Sequence, residues 1–243
     1  MNLTPSVALH PRQNQLLASL PAPQWIRLQS QLELVELPLG KVLCEAGSVP
    51  AYVYFPITAI VSLLYTTREG SSCEIAVIGN EGVVGVSLFM GGHATPSEAV
   101  VQSAGQALRL GAQALRSELA EAGATLKILL RYIDSLIAQM GQTAACNRFH
   151  SIEQQLSRRL LLGLDRSSRN ELVMTHELAA SLLGVRREGI TAAAIKLQQA
   201  GVISYRRGHI SVLDRMQLEE RACECYAVAA PARKRLFAVA MAA

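Results

Sequence analysis

No C-x-x-C pair occurs among the five cysteines, Cys44, Cys73, Cys146, Cys223 and Cys225. An odd, scattered set argues against a disulfide framework and for a reduced, cytoplasmic chain. The five histidines, His10, His93, His150, His176 and His209, are equally dispersed and show no zinc or iron ligand spacing, so no metal or other cofactor is expected. Cys223-Glu224-Cys225 reads as ordinary thiols on a helix, the alternative being a redox or metal handle. The stretch MNLTPSVALHPRQ has no basic start followed by an apolar run, so a secretory signal is not expected. The uncharged run from Gly47 to Thr67 is broken by Pro50 and Pro56 and rich in β-branched and aromatic residues, which fits buried strands and not a membrane span. G-x-S-x-G is missing, as is any cluster of His and carboxylates, so nucleophilic and metal-dependent catalysis both lack their groups. The chain does not read as an enzyme.

Half of the 243 residues are apolar, which excludes disorder and gives enough material for two domains. Charge divides unevenly. Residues 1–147 hold 8 Lys/Arg against 10 Asp/Glu, whereas residues 148–243 hold 15 against 9. The basic excess lies in the second half, where the most informative pattern also lies. Thr175 is an N-cap candidate and Glu177 an acid suited to a helix first turn. Leu178, Ala179, Leu182 and Leu183 follow at the spacing of one buried helical face, Gly184 supplies a turn, and Val185 plugs the corner. From Arg186 to Ala200 the inward set is Ile190, Ala193, Ala194 and Leu197, leaving Arg187, Glu188, Thr191 and Ala192 outward, with Gly201 ending the helix.

Beyond it, Val202–Tyr205 and Ile210–Leu213 are β-prone runs flanking Arg206-Arg207-Gly208-His209, a hairpin with glycine in its loop. Two helices, a turn and a basic hairpin read as a winged helix-turn-helix, and double-stranded DNA as its partner. Arginine forks onto guanine O6/N7 and a carboxylate accepts from cytosine N4, so Arg187 and Glu188 can read sequence. Arg206 and Arg207 are suited to gripping phosphate, the alternative being a merely solvated turn. The candidate DNA-contacting set is Thr175, His176, Arg186, Arg187, Glu188, Thr191, Arg206 and Arg207.

The first half reads as a small β domain. A helix around Pro23 to Leu32 precedes seven short β-prone stretches, Glu33–Leu37, Lys41–Cys44, Ala51–Phe55, Ala59–Thr66, Cys73–Ile78, Ala99–Ser103 and Ala107–Leu110, punctuated by glycines, as in a double-sheet jelly roll. Between the halves, Leu126 to Asn147 forms a long helix with Leu126, Leu129, Leu130, Ile133, Leu136, Ile137 and Met140 on one apolar face. Packing on the β domain is one use for that face. Self-association is the favoured one, because a symmetric dimer sets two recognition helices about 34 Å apart on a two-fold operator. A further helix, Ser151 to Leu162, opens the DNA-binding domain.

This order of parts resembles the Crp/Fnr family of bacterial transcription regulators over nearly the whole chain, most specifically in the C-terminal motif and in the turn Gly79-Asn80-Glu81-Gly82-Val83-Val84-Gly85. The resemblance implies an α+β chain divided into a cyclic-nucleotide-binding-like β-roll (1–118), a dimerisation helix (119–147) and a winged helix-turn-helix domain (148–243). It places Arg187 and Glu188 at the family's base-reading Arg and Glu, with a homodimer, DNA and RNA polymerase as partners. Ala192 stands where the cyclic AMP receptor branch carries another arginine, and Gly189 replaces its usual hydroxyl residue, which implies a different operator preference. The ligand pocket implied by the family comprises Glu81, Gly82, Gly85 and Ser97.

Cyclic-nucleotide-binding relatives pair Gly-Glu with a following Arg-Ser/Thr-Ala, because a buried cyclic phosphate needs an arginine fork and backbone donors. The corresponding stretch here, Gly91-Gly92-His93-Ala94-Thr95-Pro96-Ser97-Glu98-Ala99, holds no arginine and adds the charge of Glu98. Cyclic AMP and cyclic GMP are therefore not the expected effectors. The N-terminal cysteines of the iron–sulfur branch are missing as well, Cys44 being the first. The leading expectation is a regulator with an unidentified effector or a scaffold roll. A cyclic-nucleotide-dependent regulator with an unusual phosphate site comes second, and a jelly-roll enzyme with an accessory domain last.

Overall fold

The computed structural model describes residues 11–91, 94–121, 123–167 and 170–228. Gly92 and His93 of the cassette stretch, His10, and the outer ends of the first and last expected domains lie outside the described residues. Two short helices, α1 (Gln15–Ala18) and α2 (Ala22–Gln29), lead into seven strands: β1 (Glu33–Leu37), β2 (Val42–Cys44), β3 (Tyr52–Pro56), β4 (Ile60–Thr66), β5 (Ser72–Ile78), β6 (Glu98–Ser103) and β7 (Gly105–Gly111). They form two antiparallel sheets, β1-β7-β3 and β2-β6-β4-β5. Val53, Phe55, Val61, Leu63, Ile78, Val101, Leu108 and Leu110 fill the space between them. This is the expected β-roll. A helix follows it that the sequence reading did not identify, α3 (Ala112–Ala120). Its Glu118 is gripped by Arg27 of α2 through two hydrogen bonds of 2.9 Å.

The long helix, α4 (Ala124–Phe149), corrects one expectation. The apolar face read as a single dimer seam is divided. Leu129, Tyr132 and Leu136 are buried against the roll of their own chain, Met140 packs there in part, and Ile133 is buried as well. Leu126 is half-buried, while Leu130 and Ile137 stay 52% and 59% exposed. A 3.6-residue period cannot distinguish two adjoining stripes, one buried and one exposed, from one broad one.

Only His150 and Ser151 separate α4 from α5 (Ile152–Leu164). Ser151 caps α5 in a reciprocal capping box with Gln154. The second domain continues with β8 (Glu171–Val173), α6 (His176–Leu183), α7 (Arg187–Gln199), β9 (Ile203–Arg206), β10 (His209–Val212) and α8 (Arg215–Arg221). Its core joins Leu156, Leu160 and Leu161 of α5 to Leu182, Ile190, Leu197, Ile203, Ile210 and Leu218. The third wing strand, β8, went unread because a strand of three residues is too short to show a period. Thus an α+β chain has a β-rich first domain, a long helix and a helix-turn-helix second domain. Among the described residues no helix is long and apolar enough to cross a membrane.

The two domains meet across β5. Arg159 of α5 pairs with Glu74 at 2.6 Å, both side chains being buried, and Ser62 donates to the same carboxylate. Ser72 and Ser181 of α6 lie 2.8 Å apart, and Leu64 packs against the second core.

Candidate nucleic-acid interface

The turn between α6 and α7 aims the second helix outward. The Thr175 hydroxyl accepts the Leu178 N–H at 3.0 Å and starts α6, which ends at Gly184 in the left-handed conformation. Leu182 and Leu183 of α6 and Ile190, Ala193, Ala194 and Leu197 of α7 are buried, as the spacing required. Arg186, Arg187, Glu188 and Ala192 are exposed on the opposite side. The Arg187 side chain is 65% exposed, held only loosely by Glu177 at 3.8 Å. Gly189 lies against Ile152 of α5, where an added Cβ would meet the terminal methyl of Ile152 at 2.6 Å.

His176 and Thr191, read from sequence as DNA contacts, engage one another. The imidazole Nδ1 lies 3.0 Å from the Thr191 hydroxyl, which donates to the Arg187 carbonyl at 3.0 Å. With its proton committed, the hydroxyl accepts from Nδ1–H, and Nε2 is left buried without a partner. The ring also stacks on Tyr205 of β9, with centroids 4.3 Å apart. These contacts join the start of α6, the first turn of α7 and the wing. Burial, and then the charge of Arg187, lower the His176 pKa from its ordinary value.

The wing turns through Arg207 and Gly208, with φ of 48° and 83°, between the paired residues Arg206 and His209. Two successive positive φ values describe a type I′ turn, for which glycine is suited and which strains an arginine slightly. Both arginines are exposed.

The four residues expected around a ligand separate. Gly85 and Ser97 line a small cavity inside the roll with Cys44, Leu63, Ile78 and Val84. Its volume is about 20 Å³, room for about one water, and among the described residues no Lys or Arg lines it. Glu81 is not in this cavity. Its carboxylate faces the second domain, where Arg166 beyond α5 binds one oxygen through Nε at 2.7 Å and a terminal nitrogen at 2.6 Å. Gly82 lies under α4, so close that a Cβ there would sit 2.6 Å from the Tyr132 hydroxyl. The residues of this glycine-rich turn thus pack at a junction that local sequence does not reveal.

The histidines and cysteines were expected to be dispersed, and four of them are not: Cys146, His150, Cys223 and Cys225 converge where α4 ends. Cys146 and His150 stand one helical turn apart, which is the signal that sequence reasoning passed over.

Two family models match the chain, between them covering more than half of it. Residues 34–122 match the cyclic nucleotide-binding domain, and residues 154–221 match the Crp-like helix-turn-helix domain. Solved structures are similar in fold. FixK2 from Bradyrhizobium japonicum is 14% identical, with a TM-score of 0.66, over 79% of this chain and 98% of that one. The c-di-GMP-responsive global regulator CLP of Xanthomonas campestris is 15% identical, with a TM-score of 0.64, over 80% and 100%. A Crp/Fnr-family transcriptional regulator of Thermus thermophilus is 21% identical, with a TM-score of 0.60, over 78% and 98%. A search of curated protein sequences found no match.

Proposed function

We propose that this chain, which belongs to the Crp/Fnr family of transcriptional regulators, is a cytoplasmic homodimer that reads a two-fold DNA operator with α7. Arg187 and Glu188 contact base edges. Arg186, the α6 N-terminus at Thr175, and the wing arginines Arg206 and Arg207 contact phosphate. His176 and Thr191 act indirectly, by fixing the first turn of α7 against the wing. The observation that carries this reading is the Arg187–Glu188 turn, exposed among the described residues and flanked by a basic wing.

The exposed stripe of α4, with Leu130 and Ile137, is the dimer seam. The roll works without cyclic AMP or cyclic GMP, since its cavity is water-sized and has no guanidinium for a cyclic phosphate. Selection of bound fragments from genomic DNA tests the first claim: recovery of a shared inverted-repeat sequence is expected, and random recovery contradicts it. Calorimetry tests the second, with micromolar binding of either cyclic nucleotide contradicting it.

A further inference from the structure

We propose that Cys146, His150, Cys223 and Cys225 form a closed, structural Zn²⁺ site that clamps the end of α4 to the segment following α8. Cys146 Sγ lies 3.5 Å from Cys223 Sγ, and Cys225 Sγ lies 3.5 Å from His150 Nδ1. All four donor atoms fall within 4.8 Å of one another. A tetrahedral ion with Zn–S of about 2.3 Å and Zn–N of about 2.0 Å needs ligand-to-ligand edges of about 3.5–3.8 Å. The set therefore fits a single ion. A polynuclear iron–sulfur cluster binds its cysteines to different iron atoms and spreads them further.

The surroundings meet the other requirements of such a centre. His150 presents Nδ1 to the cluster and has Nε2 3.2 Å from the Glu224 carboxylate, the outer partner that fixes a metal-binding imidazole. Gln142 Nε2 lies 2.8 Å from Cys225 Sγ and can donate to it, as suits a thiolate. Charge supplies an independent argument. Three thiolates and one Zn²⁺ carry a net charge of −1, and Arg158, buried beside Cys146, has no carboxylate partner among the described residues. Among the described residues its Nε has no hydrogen bond, and a terminal nitrogen donates to the Thr143 hydroxyl at 3.2 Å. A buried, uncompensated guanidinium is costly, and the metal–thiolate centre neutralises it. Binding releases the protons of the three thiols and involves no change of oxidation state. With four protein ligands and none fully open to solvent, the centre holds structure together and leaves no position for a substrate.

Metal analysis of the full chain, purified without chelator, tests the proposal. One zinc per chain is expected. Once the zinc is removed, Co²⁺ alone should give the intense visible absorption of a tetrahedral, thiolate-ligated ion. Iron with acid-labile sulfide, or a metal-free chain with a Cys146–Cys223 disulfide in its peptide map, overturns the assignment. Cys225→Ser should abolish zinc retention, while a Cys44→Ser/Cys73→Ser variant should keep it, and the reverse result overturns the ligand set. Loss of a ligand can unfold the chain, so Glu224→Gln, at an exposed residue, provides a second reading. It should weaken zinc affinity 10–100-fold at unchanged stoichiometry, and unchanged affinity overturns the outer-partner role.

Discussion

Arg166 directs two nitrogens at a single oxygen of Glu81, at 2.6 and 2.7 Å, and so bolts the glycine-rich turn of the β-roll to the DNA-binding domain. Both side chains are nearly buried, and the second Glu81 oxygen is without a partner. Breaking one half of such a pair leaves the other charge stranded, whereas replacing both together can be nearly neutral.

Glu81→Ala is therefore expected to cost about 3–5 kcal/mol of unfolding free energy, and Glu81→Ala with Arg166→Met distinctly less. Urea unfolding of the two single variants and the double variant closes the cycle. Additive losses would show that the two groups are not coupled.

Arg187→Ala should lower affinity for the selected operator by about 1–3 kcal/mol and leave non-specific binding nearly intact. Arg206→Ala with Arg207→Ala should instead weaken binding to every sequence and reduce the slope of log affinity against log salt by about 2 per protomer, about 4 for the dimer. Fluorescence anisotropy across a salt series separates the two behaviours.

Acid should weaken the domain through His176. Its folded-state pKa is lowered by burial and by Arg187, so between that value and the ordinary one near 6.5 the unfolded chain holds more protons. Stability therefore rises with pH through this window and is lost as pH falls through it. His176→Phe should flatten that part of the profile, measured as denaturation midpoint against pH.

Leu130→Glu with Ile137→Glu should yield a monomer in sedimentation equilibrium at little cost in chain stability, since both positions are exposed. Leu136→Ala, on the buried side of the same helix, should cost about 2–5 kcal/mol. A dimer that survives the double substitution would place the interface elsewhere.

Much of this architecture was legible because it is local. The β-prone runs of β1 to β7, the cap at Thr175, and the inward set Ile190, Ala193, Ala194 and Leu197 each follow from neighbours a few residues away. What escaped depends on long-range contact. Glu81 reads as a turn residue until Arg166, 85 positions on, lies against it. Thr191 reads as a base contact until His176 claims its hydroxyl. Part of the α4 stripe turns inward only once the roll is folded beneath it, and Cys146 meets Cys223 across 77 residues. Cys146 with His150 and Cys223 with Cys225 are each closely spaced in the chain, and only the fold brings the two pairs together.

The two-residue joint at His150 and Ser151 sets the kind of motion open to the molecule. With α4 continuous for 26 residues, about 39 Å, and α5 capped at once by Ser151, there is no slack in which a signal could dissipate. A displacement at the end of α4 would reach the start of α5 with only two residues to absorb it, so the two helices would move as coupled rods.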